Sequence, residues 1–232
     1  MNGVELIAAA RKEGRAALDE LSGKQLLAGF SVSVPKSVMV PDATAASAAI
    51  TGLKPPFAVK VMSPDILHKS DAGGVKIGLN NSQEVEQSIG AMAILPAIKN
   101  ARVEGYLVEE MAPAGQEIVV GAVRDPDFGP MIMVGLGGIF VEVLADVAFR
   151  ICPITRLDAA EMLDELKGAA ILNGARGRPP VSRDSIVDVL LKIGGEGGLL
   201  MRHAADFKEA DINPLIVSAT GAVAVDARFI LA

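Results

Sequence analysis

Apolar positions at helical spacing run from Gly3 to Ala28, where Leu6, Ile7, Ala10, Ala17, Leu18 and Leu21 alternate with charges. The spacing predicts a helix that breaks at Gly29. Over Ser31–Val40, SVSVPKSVMV, the pattern becomes alternation, which reads as a strand pair split by Pro35. Pro41-Asp42 then opens an Ala-rich helix over Ala43–Ile50, and the apolar strand FAVKVM follows over Phe57–Met62. The polar stretch SPDILHKSDAGG, Ser63–Gly74, reads as a loop before the strand VKIGL, Val75–Leu79. A helix over Ser82–Lys99 and a strand over Tyr106–Met111 complete a first lobe of helices and strands.

Pro113-Ala114-Gly115 has the composition of a connection, so residues 1–112 are expected to form the N-terminal region and first lobe, and 113–232 the second. In the second half EIVVGAV, PMIMVGL and VEVLADVAFRICPI alternate with glycine turns. Helices over Leu157–Lys167 and Ser182–Gly194 and strands over Asp211–Val217 and Ala222–Asp226 follow. The expected fold class is α+β, two lobes built on mixed sheets. The run Pro130–Phe149 is apolar enough to imitate a membrane span. Gly135, Gly137 and Gly138 interrupt it, and Glu142 and Asp146 place charges within it, so strand, glycine loop and second strand is the reading adopted.

Composition narrows the picture. Half of the 232 residues are hydrophobic but only 3% are aromatic, which suits a Val, Ile, Leu, Ala and Met interior of sheets under helices. Acidic residues outnumber basic ones, 28 to 22, and no basic block interleaves with aromatics, which excludes a nucleic-acid surface. An anionic ligand therefore needs a local site. The single Cys152 cannot form an internal disulfide, and the N-terminal stretch has no long apolar signal run, so a reducing cytoplasm is expected.

Several residues invite chemistry. Lys60 lies inside an apolar strand, where an ammonium needs an anion or carboxylate beside it, or a route for its head to water. Glu109, Glu110 and Met111 end a strand before the interlobe connection, where backbone groups can meet an adenine edge; solvated strand-end acids are the plainer alternative. In DINPLIVSATGAVAVDARF, Asp211–Phe229, two strands joined at Gly221 bring Asp211, Asn213 and Asp226 to corresponding ends. Such hard oxygens suit Mg²⁺, although Asp211 and Asn213 also suit turn capping. Gly137 and Gly138 in GLGG offer either backbone N–H groups to a phosphate or a tight turn. Arg124 neutralises a phosphate or pairs with Asp125 or Asp127. His68 sits in a polar, glycine-flanked loop, either as a phosphoryl-accepting imidazole or as a surface histidine, whereas His203 reads as a helix-surface residue.

Together these stretches carry a family resemblance. PKS at 35–37, VKVMSPDILHKSDAGGVKIGL at 59–79, VRDPDFGPMIMVGLGGIFVEVL at 123–144, and the DINPL and AVDAR segments resemble the ATP-grasp subunit of ADP-forming acyl-CoA synthetases, relatives of succinyl-CoA synthetase. The likeness runs from about Leu21 to the C-terminus. It implies an ATP-grasp fold with nucleotide between the lobes, ATP/ADP and Mg²⁺ as cofactors, and the reaction acid plus CoA plus ATP to acyl-CoA plus ADP plus phosphate. It also implies that Lys60 touches nucleotide phosphate, that Glu109–Met111 form the adenine hinge, and that Asn213 and Asp226 hold magnesium. His68, in LHKSD, matches the family's second phosphoryl carrier. No CoA-binding lobe and no first phosphohistidine is recognisable, so a CoA-binding alpha subunit is the implied partner. A nucleotide-sensing module without catalysis and a carboxylate–amine ligase of the same fold are the competing readings.

Overall fold

The helix expected over Gly3–Ala28 is two helices. In the computed structural model, which describes residues 2–66, 68–138, 141, 144–174 and 179–232, α1 (Gly3–Lys12) starts at an Asn2–Glu5 capping box. It ends before Gly14, whose φ of +69° is a left-handed conformation that glycine adopts without strain. The chain then extends through β1 (Ala17–Leu18), and Asp19 caps α2 (Glu20–Gly29) by accepting from the Ser22 N–H. Local periodicity was therefore right about the buried stripe and blind to the break.

The next strand is confined to β2 (Ser37–Val40), so the expected strand pair around Pro35 is a single strand. Helix α3 (Ala43–Ala49) begins at Asp42 and passes into a 3₁₀ turn, Ile50–Gly52. Strands β3 (Phe57–Met62) and β4 (Val75–Leu79) occupy the expected positions. Pro96 divides the next helix into α4 (Ser82–Ala93) and α5 (Pro96–Lys99), because Leu95 before the proline is extended. After β5 (Gly105–Glu110), strands β6 (Gln116–Asp125) and β7 (Gly129–Leu136) form a hairpin. Its turn is fixed by the Asp125 carboxylate, which accepts from the Asp127 and Phe128 N–H groups. The strand expected within VEVLADVAFRICPI is β8 (Val147–Ile151). Ile139, Phe140, Glu142 and Val143 lie outside the described residues, as does Leu67 of LHKSD.

The C-terminal part contributes α6 (Arg156–Glu165), α7 (Arg183–Gly194), α8 (Leu199–Arg202), β9 (Phe207–Val217), β10 (Ala222–Ala224) and β11 (Arg228–Leu231). Two units result, and their composition corrects the expected domain limits. One comprises residues 35–112, and the other joins 1–34 to 113–232. The N-terminal helices thus belong with the second half, because β1 pairs with β11 and Leu26 and Leu27 enter that half's core.

In the larger unit the sheet runs β1-β11-β9-β6-β7-β8, with β10 on β9. In the smaller it runs β2-β5-β3-β4. Among the described residues each pair of these strands is antiparallel and the parallel Ile154–Gly195 pairing is an isolated bridge outside them, so the expected mixed sheets are corrected. Each sheet buries one face under its own helices. In the larger unit Ile118, Val120, Ala122, Ile132, Val134, Ala210 and Ile212 join the helical residues in one core. In the smaller, Val59, Val61, Tyr106 and Val108 pack with Val85 and Ile89. Among the described residues no helix is long and apolar enough to cross a membrane.

Candidate functional site

Strand alternation decides which residues share a face. In the smaller unit Lys60 and Glu109 lie on the sheet face opposite the helices. Lys60 is the cross-strand partner of Leu107, and Glu109 that of Ala58, so the two side chains meet diagonally. Lys60 Nζ stands 3.0 Å from Glu109 Oε1, with the side chains 7% and 0% exposed. The buried ammonium has beside it the carboxylate that the sequence demanded.

The hinge residues are more constrained than expected. The Glu110 N–H donates to the Lys36 carbonyl at 2.9 Å and the Met111 N–H to the Pro56 carbonyl at 3.0 Å, while the Glu110 carboxylate accepts from the Lys54 N–H. A purine edge reading those two N–H groups would have to displace existing bonds. Met111 is partly exposed, and its Sδ lies 3.2 Å from the Gly78 nitrogen.

His68 stands exposed on a short turn that follows the Lys60 strand. Its carbonyl accepts from the Ala72 N–H, and the Lys69 carbonyl from the Gly74 N–H at 2.7 Å. Gly74 is required because a Cβ there would sit 2.4 Å from Val61 Cγ1. The segment's leading side is tied by the Asp65 carboxylate, which accepts from the Arg102 N–H at 2.6 Å. Neither Asp65 nor this tie was visible in the sequence, since its partner is 37 residues away.

In the larger unit Asp211 lies opposite both Gly121 and Arg228, on the sheet face away from the helices. Asn213 donates its backbone N–H to the Asp226 carbonyl at 3.3 Å, and Asp226 Oδ1 accepts from the Ala227 N–H at 2.8 Å. Burial, then the Asp226 charge and the Glu209 charge, push the Asp211 carboxyl's pKa up, and Arg228 offsets this only in part. Two carboxylates that repel one another beside an amide are a fit for a hard cation. Among the described residues no group of three or more His, Cys, Asp or Glu gathers as a complete metal cage. Magnesium takes few protein ligands and completes its octahedron with water and phosphate oxygens.

Arg124 is separated from these acids. It shares a strand face with Ala122, a core residue, whereas Gly121, the partner of Asp211, points to the other. Arg124 lines a small notch with His203, Lys208 and Phe207 and makes no ion pair among the described residues. Arg124 therefore lies on the other sheet face from Asp211, and its expected pairing with Asp125 or Asp127 is corrected. His203 is also corrected: it is 8% exposed, bonds Asp206 at 3.0 Å and packs its ring against Phe30 and Phe207.

Gly137 and Gly138 form a real turn. Gly137 donates its N–H to the Glu117 carbonyl at 2.8 Å, and a Cβ there would meet Glu117 Cβ at 2.7 Å. Gly138 has φ +65°. The Gly137 N–H is thus engaged, but the exposed Glu117 carboxylate, unremarked in the sequence, comes within 4.0 Å of where a Gly138 Cβ would lie. A second unremarked feature is apolar. Rows Phe149–Met133–Gly121 and Ile151–Met131–Val123 cross the same sheet face as Asp211, with Phe149 and Ile151 about half exposed. The first row ends at Asp211, so an apolar platform adjoins the acids.

The chain that carries this arrangement is similar over nearly its whole length to known proteins. The ATP-grasp domain family model matches residues 9–231, and the chain belongs to that family. Within it, the chain is 40% identical to the acetate–CoA ligase [ADP-forming] I subunit beta of Pyrococcus furiosus, over 98% of this chain and 97% of that one. It is 41% identical to the acetate–CoA ligase [ADP-forming] of Methanocaldococcus jannaschii, over 91% of this chain but 30% of the relative. An acetyl-coenzyme A synthetase of Ca. Korarchaeum cryptofilum superposes with a TM-score of 0.85 at 34% identity, covering 99% of this chain and 100% of that one. That structure is in complex with coenzyme A and Mg-AMPPCP, its phosphohistidine segment pointing towards the nucleotide binding site.

Proposed function

We propose that the chain is the nucleotide-handling subunit of an ADP-forming acyl-CoA synthetase, exchanging a phosphoryl group between Mg-nucleotide and His68. The observation that carries this reading is the exposed His68 on a turn leaving the strand that holds buried Lys60. Imidazole nitrogen of His68 attacks the terminal phosphorus, the bond to the bridging oxygen breaks, and that oxygen leaves with ADP. Lys60, held by Glu109 at 3.0 Å, offsets charge developing on the phosphoryl oxygens. Asp211, Asn213 and Asp226 would hold magnesium, which supplies charge neutralisation on the phosphates. The Glu109–Met111 strand end would contact the base once its N–H groups give up their present partners. Gly137 and Gly138 shape the turn beside Glu117. Arg124 has no role in this set.

The phosphoryl group passes onward to a CoA-binding partner subunit that carries the first phosphohistidine. Support comes from the Methanocaldococcus relative, in which the matched region is 30% of a longer chain. A reducing cytoplasm suits the buried thiol of Cys152, whose pKa is pushed up to about 11 by burial. The test is reconstitution. The purified chain should form no acyl-CoA from acid, CoA and ATP, and acid-dependent ADP release should appear on adding the CoA-binding partner. Robust synthesis by the chain alone would refute the division of labour.

A further inference from the structure

The segment that local pattern assigned to the first lobe does something specific for the hairpin of the second. Three links bracket Asp226. On one side the Ala224 N–H donates to the Ser33 carbonyl at 2.9 Å, and on the other the Leu231 N–H donates to the Ala16 carbonyl at 2.9 Å. Between them Gly23 of α2 lies against Ala227: a Cβ at Gly23 would stand 2.9 Å from the Ala227 carbonyl oxygen and 3.3 Å from Phe229 Cδ2. β1 adds the pairs Ala17–Ile230 and Leu18–Phe229. Ala227 is 2% exposed, and its N–H is the group that holds Asp226 Oδ1.

We infer that residues 16–33 act as a clamp that fixes where Asp226 presents its carboxylate, with Gly23 as the contact on which the setting depends. A glycine inside a helix costs about 1 kcal/mol relative to alanine. Here the absent Cβ is what allows helix and hairpin backbone to approach. Beside Gly23 on the same helix, Lys24 Nζ meets Glu20 Oε1 at 2.7 Å with both side chains 2% exposed, so the clamp is stiffened by a buried ion pair. A carboxylate held by its own neighbour's N–H moves when that neighbour moves. Gly23 is accordingly a positioning residue for the magnesium site, and the inference rests on the metal reading proposed above.

The test measures Mg²⁺ half-saturation of nucleotide binding by calorimetry on the full chain. Gly23→Ala should raise it on the order of tenfold, as loss of a partner that orients a ligand does, while metal-free nucleotide binding and the circular dichroism spectrum stay unchanged. Gly29→Ala, on the same helix but with nothing within 4 Å of its Cβ position, should match the wild type. Ala227→Gly, which loosens the contact instead of crowding it, should shift half-saturation in the same direction by less, and it decides the matter if Gly23→Ala does not fold. Asp226→Ala serves as reference. If Asp226→Ala abolishes the magnesium response while Gly23→Ala and Ala227→Gly keep the wild-type value, the clamp is overturned and the metal site stands. An unchanged response in Asp226→Ala would remove the metal reading itself.

Discussion

On the smaller sheet Lys60 meets Glu109 at 3.0 Å, and each charge has its opposite built into the protein. On the larger sheet the Asp211 carboxyl lies within the field of Asp226, like against like, and burial and repulsion together raise its pKa. The first arrangement is a closed pair of opposite charges. The second carries the unfavourable electrostatics of neighbouring acids. Buried charge therefore takes two forms in this chain: a closed pair where the protein supplies the counter-charge, and an open acid pair in which like charges repel.

Removing one half of the closed pair should have the largest effect on stability. Lys60→Met leaves the Glu109 carboxylate buried and is expected to cost about 3–5 kcal/mol in urea unfolding. Lys60→Met with Glu109→Leu should recover most of that loss, because the cost lies in the uncompensated charge. Phosphoryl transfer stays lost in both. A single variant no less stable than the double one would show that the pair is not what holds this face.

The open pair makes the opposite prediction. A carboxyl whose folded pKa is raised opposes folding while ionised, and this penalty is present above the folded pKa and relieved as pH falls through it. Asp211→Asn should therefore raise the melting temperature at neutral pH without metal. The gain should shrink as pH falls through the raised pKa, where the wild-type carboxyl becomes protonated. The same variant should lose the stabilisation that Mg²⁺ gives the wild type in the presence of nucleotide. Destabilisation by Asp211→Asn at neutral pH would contradict the repulsion argument. The smallest effect is expected at Arg124: Arg124→Ala should leave Mg-nucleotide affinity within about 0.5 kcal/mol, since the side chain lies on the other face from Asp211. A loss of tenfold or more would return Arg124 to the site.

Much of this was legible in the sequence because it was local. FAVKVM and VKIGL are strands where alternation and β-branching put them, and the resemblance read from LHKSD, DINPL and AVDAR led to the family to which the chain belongs. What was not legible depends on distance along the chain. Nothing near Ala17 announces that it pairs with Ile230, so the N-terminal segment was placed with the wrong unit. The sheet face of Arg124 was not legible because one residue's shift along β6 moves a side chain across the sheet. His203 looked exposed by neighbourhood, yet Phe30 and Phe207 bury it. Glu117 and the Met133–Phe149 platform went unremarked since their meaning arises only once β6, β7 and β8 lie side by side.

The central claim is that His68 carries the phosphoryl group, and one labelling experiment addresses it directly. ATP labelled at the terminal phosphate is incubated with the chain, alone and with its CoA-binding partner, and protein-bound label is tested for stability in acid and base. Wild type and His203→Ala should both acquire acid-labile, base-stable label, and His68→Ala should acquire none on this chain while keeping its stability within about 0.5 kcal/mol, as expected of an exposed side chain. Label and steady-state turnover retained by His68→Ala would contradict the account and make transfer to the partner direct.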